Sequence, residues 1–99
     1  MEKHSPHYPL AEIQAQMTTV QAMNLTVSAK TGIRAVGMAQ ADGLAVVQGL
    51  TRKDFYKSMT TYADHHAWQD VYHGQWNNVA LYIKFQRADE YFVVSFKEL

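Results

Sequence analysis

Toward the end of the chain, apolar and polar side chains alternate with a period of two. Val79, Leu81, Ile83 and Phe85 interleave with Ala80, Tyr82, Lys84 and Gln86, and Phe92, Val94 and Phe96 interleave with Val93, Ser95 and Lys97. Successive side chains of a strand point to opposite faces, so both runs read as strands with one apolar face and one mixed face. The polar Arg87-Ala88-Asp89-Glu90 between them reads as a hairpin connection.

Upstream, the stretch from Asp54 to Tyr72 (DFYKSMTTYADHHAWQDVY) carries two more strand-like pieces, Asp54 to Tyr62 and Trp68 to Tyr72, joined by a polar, histidine-bearing connection. Strict alternation sets Phe55, Lys57, Met59 and Thr61 on one face and Tyr56, Ser58, Thr60 and Tyr62 on the other. Neither face is purely apolar. Burying polar groups without partners is costly, so a strand mixed on both sides reads as a wall of a working site. Gly74 to Asn78 supplies turn residues between the second and third strands.

The first half of the chain has a helical period. Leu10, Ile13, Met17 and Val20 recur at helix spacing after Pro9, which suits a first turn. Leu25 to Val27 reads as a short strand, Ser28 as the cap of a second helix through Ala29, Ile33 and Val36, and Asp42 as the N-cap of a third. That third helix carries Leu44, Val46 and Val47 and closes near Gly49, a residue that tolerates a left-handed helix end. Helices followed by at least four strands argue for one α+β domain over residues 1–99, with the helices on one face of a mainly antiparallel sheet. The other face is then free to bind.

Composition narrows the function. There is no cysteine, which removes disulfides, thiolate zinc sites and a cysteine nucleophile together. Nine Lys and Arg balance nine Asp and Glu, a mark against indiscriminate nucleic-acid binding that leaves a local basic patch open. No segment approaches the roughly 20 apolar residues of a membrane helix, and no apolar run near the start has signal-peptide length. The expectation is a soluble, cytoplasmic protein without membrane contact.

The segment DFYKSMTTYADHHAWQDVY, with the terminal VVSFKEL and the opening MEK followed by Pro6-His7, resembles the motility quorum-sensing regulator (MqsR) toxins of bacterial toxin–antitoxin pairs. The resemblance is densest from Leu50 to Tyr72 and returns at Tyr82 to Lys84 and Val93 to Glu98. Between Ala11 and Gly49 it rests on the helical pattern and Asp42-Gly43. It implies a RelE-like fold and a sequence-selective mRNA interferase, cutting GCU-like sites without a metal or other cofactor and so inhibiting translation and growth. It also implies a cognate antitoxin with a zinc-binding part and a helix-turn-helix part, operator DNA being reached only through that antitoxin. Carried over residue by residue, the active site falls on Lys57, Gln69 and Tyr82, supported by Met59, Lys97, His65, Tyr56 and the matching His7. Arg87 to Glu90, His73 to Asn78 and the additional His66 depart from the family pattern, which bears on RNA affinity and sequence preference.

The chemistry sets its own demands. Metal-free cleavage by the neighbouring 2′-hydroxyl needs a base for its proton, an acid for the departing 5′-oxygen, and cationic donors for charge on the phosphorane. Lys57 and Lys97 suit the last role. Free lysine and tyrosine titrate at about 10.4 and 10, so either serves as a base near neutrality only if its pKa is lowered. Lys57 is therefore expected to stabilise the phosphate or act as base, Tyr82 to donate or relay a proton, and Gln69 to position the phosphate or a nucleobase.

Plainer readings stand beside these. Lys57 and Lys84 also fit solvated edge charges that discourage sheet pairing. Tyr72 and Tyr82 fit aromatic surface on the sheet or stacking platforms for bases, and Trp68 fits the core. His4 and His7 fit a solvated terminus. Asp64, His65, His66, Asp70 and His73 include metal-ligand types, but in no usual zinc spacing. Two other function classes remain: a catalytically weak RelE-like module that binds its antitoxin and co-regulates transcription, and a histidine–carboxylate metal-binding domain.

Overall fold

The structure, a computed structural model, describes residues 1–99. Five strands form one antiparallel sheet in simple sequence order: β1 (Glu2–Lys3), β2 (Phe55–Thr60), β3 (Trp68–Trp76), β4 (Val79–Ala88) and β5 (Tyr91–Glu98). Between β1 and β2 the chain builds helices α1 (Leu10–Gln16), α2 (Val27–Ala35) and α3 (Gln40–Gly49), with single 3₁₀ turns at Gln21–Met23 and Arg52–Asp54. The α+β architecture is the one expected. No helix is long and apolar enough to cross a membrane.

The period-two pattern of β4 and β5 decides where the core sits. Leu81, Ile83, Phe85, Phe92, Val94 and Phe96 are all buried and pack with Tyr72 of β3 and with Ile13, Met17, Met23, Ile33 and Val47 from the helical half. Removing this apolar surface from water, at about 25 cal/mol per Å², is the main drive for laying the helices on that face. Helix α2 lies against β5 so closely that a Cβ at Gly32 would run into the carbonyl oxygen of Phe96. A parallel bridge from Leu25 to Val94 and a bond from the Thr26 N–H to the Val94 carbonyl oxygen (3.4 Å) lead the chain into that helix along the β5 edge.

Several boundaries differ from the sequence reading, each for a local reason. Helix α1 stops at Gln16, and Met17 turns off at φ −88, ψ 64. Its carbonyl is taken by the Gln48 amide of α3 (2.6 Å), while Gln14 donates back to the carbonyls of Val47 and Leu50 (3.0 and 2.9 Å). Val20 thus falls outside α1. Leu25 to Val27 is no strand beyond its single bridge, because Thr26 and not Ser28 caps α2, its hydroxyl accepting from the Ala29 N–H at 3.0 Å. Asp42 sits in the first turn of α3 and not at its N-cap, which is Ala39; the Asp42 carboxylate accepts from the Ala39 N–H at 2.8 Å.

The left-handed helix end falls at Gly37 (φ 82) and not at Gly49. There the N–H groups of Gly37 and Met38 return to the carbonyls of Arg34 and Ile33, both at 3.0 Å, in the double bond of a Schellman motif. Strand β3 runs past Tyr72 to Trp76, so the turn narrows to Asn77-Asn78, both at positive φ (48 and 66) as a two-residue hairpin of this hand requires. Gly74 is a strand residue under the helices, where an added Cβ would stand 2.7 Å from Ile83 Cδ1 and 3.2 Å from Val46 Cγ1. The β4–β5 hairpin turns at Asp89-Glu90, between the paired Ala88 and Tyr91.

Candidate active site on the open sheet face

A bulge in β2 decides which side chains share the uncovered face. The β2–β3 register slips between Phe55 and Lys57, so Phe55 pairs with Tyr72 on the helix side while Lys57 pairs with Val71 on the other. Strict alternation had put Phe55 with Lys57 and Met59. The structure instead sends Phe55, Ser58 and Thr60 to the helix side and Tyr56, Lys57 and Met59 to the open face. Antiparallel pairing then lays three cross-strand rows: Glu2, Met59, Gln69, Gln86 and Val93; Lys57, Val71, Lys84 and Ser95; and His73, Tyr82 and Lys97 beside Tyr56.

Six of the expected residues therefore meet: Lys57, Gln69, Tyr82, Met59, Tyr56 and Lys97 all belong to this face. His65 joins from the β2–β3 connection, lining with Lys57, Met59, Tyr62 and Glu2 an open depression of about 370 Å³. Two smaller hollows follow along the face, one of about 150 Å³ at Gln69, Lys84 and Gln86 and one of about 130 Å³ at Tyr82, Lys84 and Lys97. His7 is set apart. Its ring stacks on Trp68 (5.1 Å, 15°), beside Lys3 Nζ (3.0 Å from His7 Nδ1), and its backbone N–H donates to Asp70, all on the helix side of the sheet. Desolvation, then the nearby Lys3 charge, hold the His7 pKa below the ordinary imidazole value.

The electrostatics of the face are unlike those of the whole chain. Lys57, Lys84 and Lys97 stand on it with one acid, Glu2, although the protein as a whole is neutral. Lys57 Nζ donates to Glu2 Oε1 at 2.9 Å. That hydrogen bond holds the Lys57 pKa above the ordinary lysine value and the Glu2 pKa below the ordinary carboxylate value. A lysine held in its ammonium form suits a phosphate. Lys97 Nζ lies 4.8 Å from the centre of the Tyr82 ring, and Gln69 Nε2 donates to Gln86 Oε1 at 2.8 Å.

Two residues of this face escaped the sequence reading. Glu2 comes from the two-residue edge strand β1, and only long-range pairing with Ser58 and Met59 brings it here. His73 lies between Tyr56 (stacked, ring centres 4.2 Å) and Tyr82 (6.2 Å), with Nε2 covered and without a hydrogen-bond partner. Extending the alternation of Gln69 and Val71 by one step would have found it.

The remaining ligand-type residues are dispersed. Asp70 is fully buried on the helix side, where its carboxylate accepts from the backbone N–H groups of His7 (3.1 Å) and Tyr8 (2.8 Å) and from Ser58 Oγ (2.6 Å). Asp64 closes its own loop by accepting from the His66 N–H at 2.8 Å. No three His, Cys, Asp or Glu side chains come together in a set able to hold a metal ion, so the proposed histidine–carboxylate cluster does not form. Tyr72, weighed as a stacking platform, is wholly buried against Phe55 and Phe85; burial raises its pKa to about 12. Trp68 is half-buried at the start of the central strand β3, under His7 and Lys3, instead of in the core.

Residues 5–98 match the family described as motility quorum-sensing regulator, toxin of MqsA. The chain is also 39% identical over 99 residues to the mRNA interferase toxin MqsR of Escherichia coli (strain K12), with 99% of each chain covered.

Proposed function

The chain belongs to the motility quorum-sensing regulator toxin family, and we propose that its open sheet face cuts mRNA at GCU-like sites without a metal. As an mRNA interferase toxin it is an endoribonuclease with mRNA as substrate and an antitoxin as partner. The finer parts of the proposal are the triplet, the metal independence, the residue roles and the antitoxin's zinc-binding and helix-turn-helix parts. The cytoplasm, where mRNA is translated, is the proposed site of action.

The observation that carries the reading is the clustering of Lys57, Gln69 and Tyr82 with two further lysines, Lys84 and Lys97, and the exposed ring of Tyr56 on one face of a neutral protein. Lys57 holds a non-bridging oxygen of the scissile phosphate, as a point charge with three donors. Lys97, at the end of the same face, adds a second cation for the charge on the phosphorane. Gln69 exchanges its bond to Gln86 for one to the phosphate or a nucleobase. Tyr82 gives its phenolic proton to the departing 5′-oxygen. Tyr56, half exposed, offers a stacking surface for a base, with Met59 and His65 shaping the depression beside it. His7, on the other side of the sheet, has no part in the step.

The test is incubation of the purified wild-type protein and Lys57→Ala with a defined mRNA in excess EDTA, without ribosomes, with cut positions and end groups mapped. Discrete cuts by the wild type, leaving cyclic phosphate and 5′-hydroxyl ends, are the expected result. Cleavage only on addition of a divalent metal, or full activity in folded Lys57→Ala, would sink the proposal.

A further inference from the structure

Eighteen Lys, Arg, Asp and Glu residues make only one ion pair in this molecule, and that pair lies in the proposed site. Glu2 reaches Lys57 because β1 pairs antiparallel with β2, Glu2 opposite Met59 and Lys3 opposite Ser58, with a further bond from the Thr60 N–H to the Met1 carbonyl (2.9 Å). The Glu2 side chain is half exposed and lines the same 370 Å³ depression as Lys57, in the cross-strand row that runs through Met59 to Gln69. A carboxylate this open makes little stability by pairing. What it does make is a proton acceptor beside the cation proposed to hold the phosphate.

We infer that Glu2 is the general base of the reaction, taking the proton of the ribose 2′-hydroxyl while Lys57 holds the adjacent phosphate. The inference rests on the nuclease reading above and adds the residue that reading lacks, since Lys57 holds its own proton. The 2′-O–H proton passes to a Glu2 carboxylate oxygen, the 2′-oxygen bonds to phosphorus, and the P–O5′ bond breaks. The 5′-oxygen takes the Tyr82 phenolic proton, leaving a 2′,3′-cyclic phosphate and a 5′-hydroxyl. Proton return from Glu2 to the Tyr82 phenolate through solvent resets the site. No further reactant is consumed. The charged and titratable groups facing Glu2 are Lys57 on β2, His4 and the terminal ammonium on its own segment, and His65 across the depression. The Lys57 hydrogen bond, then the Lys57 charge, are the largest influences holding the Glu2 pKa below the ordinary carboxylate value.

The test measures single-turnover cleavage of one defined RNA in EDTA by the full-length wild type, Glu2→Gln and Glu2→Asp across about pH 4 to 8, with RNA affinity and melting temperature alongside. Glu2→Gln preserves the shape and an oxygen acceptor for Lys57 but cannot take a proton. Expected are a loss of about 100-fold or more in its rate at neutral pH, affinity and melting temperature near wild type, and partial rescue in Glu2→Asp. The wild-type rate is expected to fall only below about pH 4.5, the ordinary carboxylate value. An acid limb near 6.5 hands the base to a histidine and overturns the assignment without any variant. Glu2→Gln that cuts as fast as wild type, or binds RNA more tightly and cuts faster, makes Glu2 a mere competitor for Lys57 and overturns it too. An inactive, folded wild type removes the nuclease reading and this inference together, whereas active wild type with active Glu2→Gln removes only the inference.

Discussion

The two faces of the one sheet treat their charges in opposite ways. On the helix side, Asp70 is wholly buried and saturated, with two backbone N–H groups and a serine hydroxyl on its carboxylate. On the open side, Glu2 and Lys57 hold only each other, with the Glu2 side chain half exposed. A buried carboxylate must have its partners at all times, so it ends as a fastener tying the Pro6–Tyr8 segment to β3. A wet ion pair costs little to open, so its two members are free to change partners when a substrate arrives. Strands with period two let one short chain carry both kinds of site a few ångströms apart.

Substitutions that separate activity from stability test this contrast directly. The largest expected effect is on the open face: Lys57→Ala loses about 100-fold or more in RNA cleavage with its melting temperature almost unchanged. A variant that instead melts far lower would make Lys57 a structural residue. Asp70→Ala is the mirror case. Three donors lose their acceptor inside the protein, at about 3–5 kcal/mol in urea unfolding, while cleavage per folded molecule falls less than about tenfold. Stability near wild type in Asp70→Ala would mean the tie is dispensable.

A milder effect lies in the alkaline range. The Tyr72 pKa is raised on folding, so the stability it contributes is complete below its unfolded value near 10.0 and is lost as pH rises through about 12. Tyr72→Phe should be as stable as wild type at neutral pH, since the hydroxyl it deletes has no partner, and should lose less stability between those two values. Equal alkaline loss in both proteins would place the titration elsewhere. The smallest expected effect is that of salt. With three lysines on the open face, RNA binding should weaken with a log–log salt slope of about −2. A flat response would show that phosphate contacts do not govern binding.

Much of this molecule was legible in one dimension, and the limits of that legibility are physical. Strands β4 and β5 could be read from alternation because Leu81, Ile83, Phe85, Phe92, Val94 and Phe96 face one core. The same alternation, carried through β2, assigned Phe55 to the face of Lys57, since a bulge leaves no mark in composition. Gly74 read as a turn residue, yet it serves close packing under Val46 and Ile83. Capping missed by small offsets: Thr26 and not Ser28 takes the Ala29 N–H, and the Asp42 carboxylate reaches back from the first turn to the Ala39 N–H.

By itself the sequence determined the kind of protein this is: helices on an antiparallel sheet, a mixed second face, and a family motif that singles out Lys57, Gln69 and Tyr82 as candidates. Those are local properties, set by side-chain period and by residues near one another in the chain. Only the tertiary structure decided that the neutral chain gathers three lysines on one face, that His73 stands between two tyrosines, and that Glu2 meets Lys57. The last contact spans 55 residues of sequence. It exists because the helices between them pack on the far side of the sheet and leave a two-residue strand in register on β2.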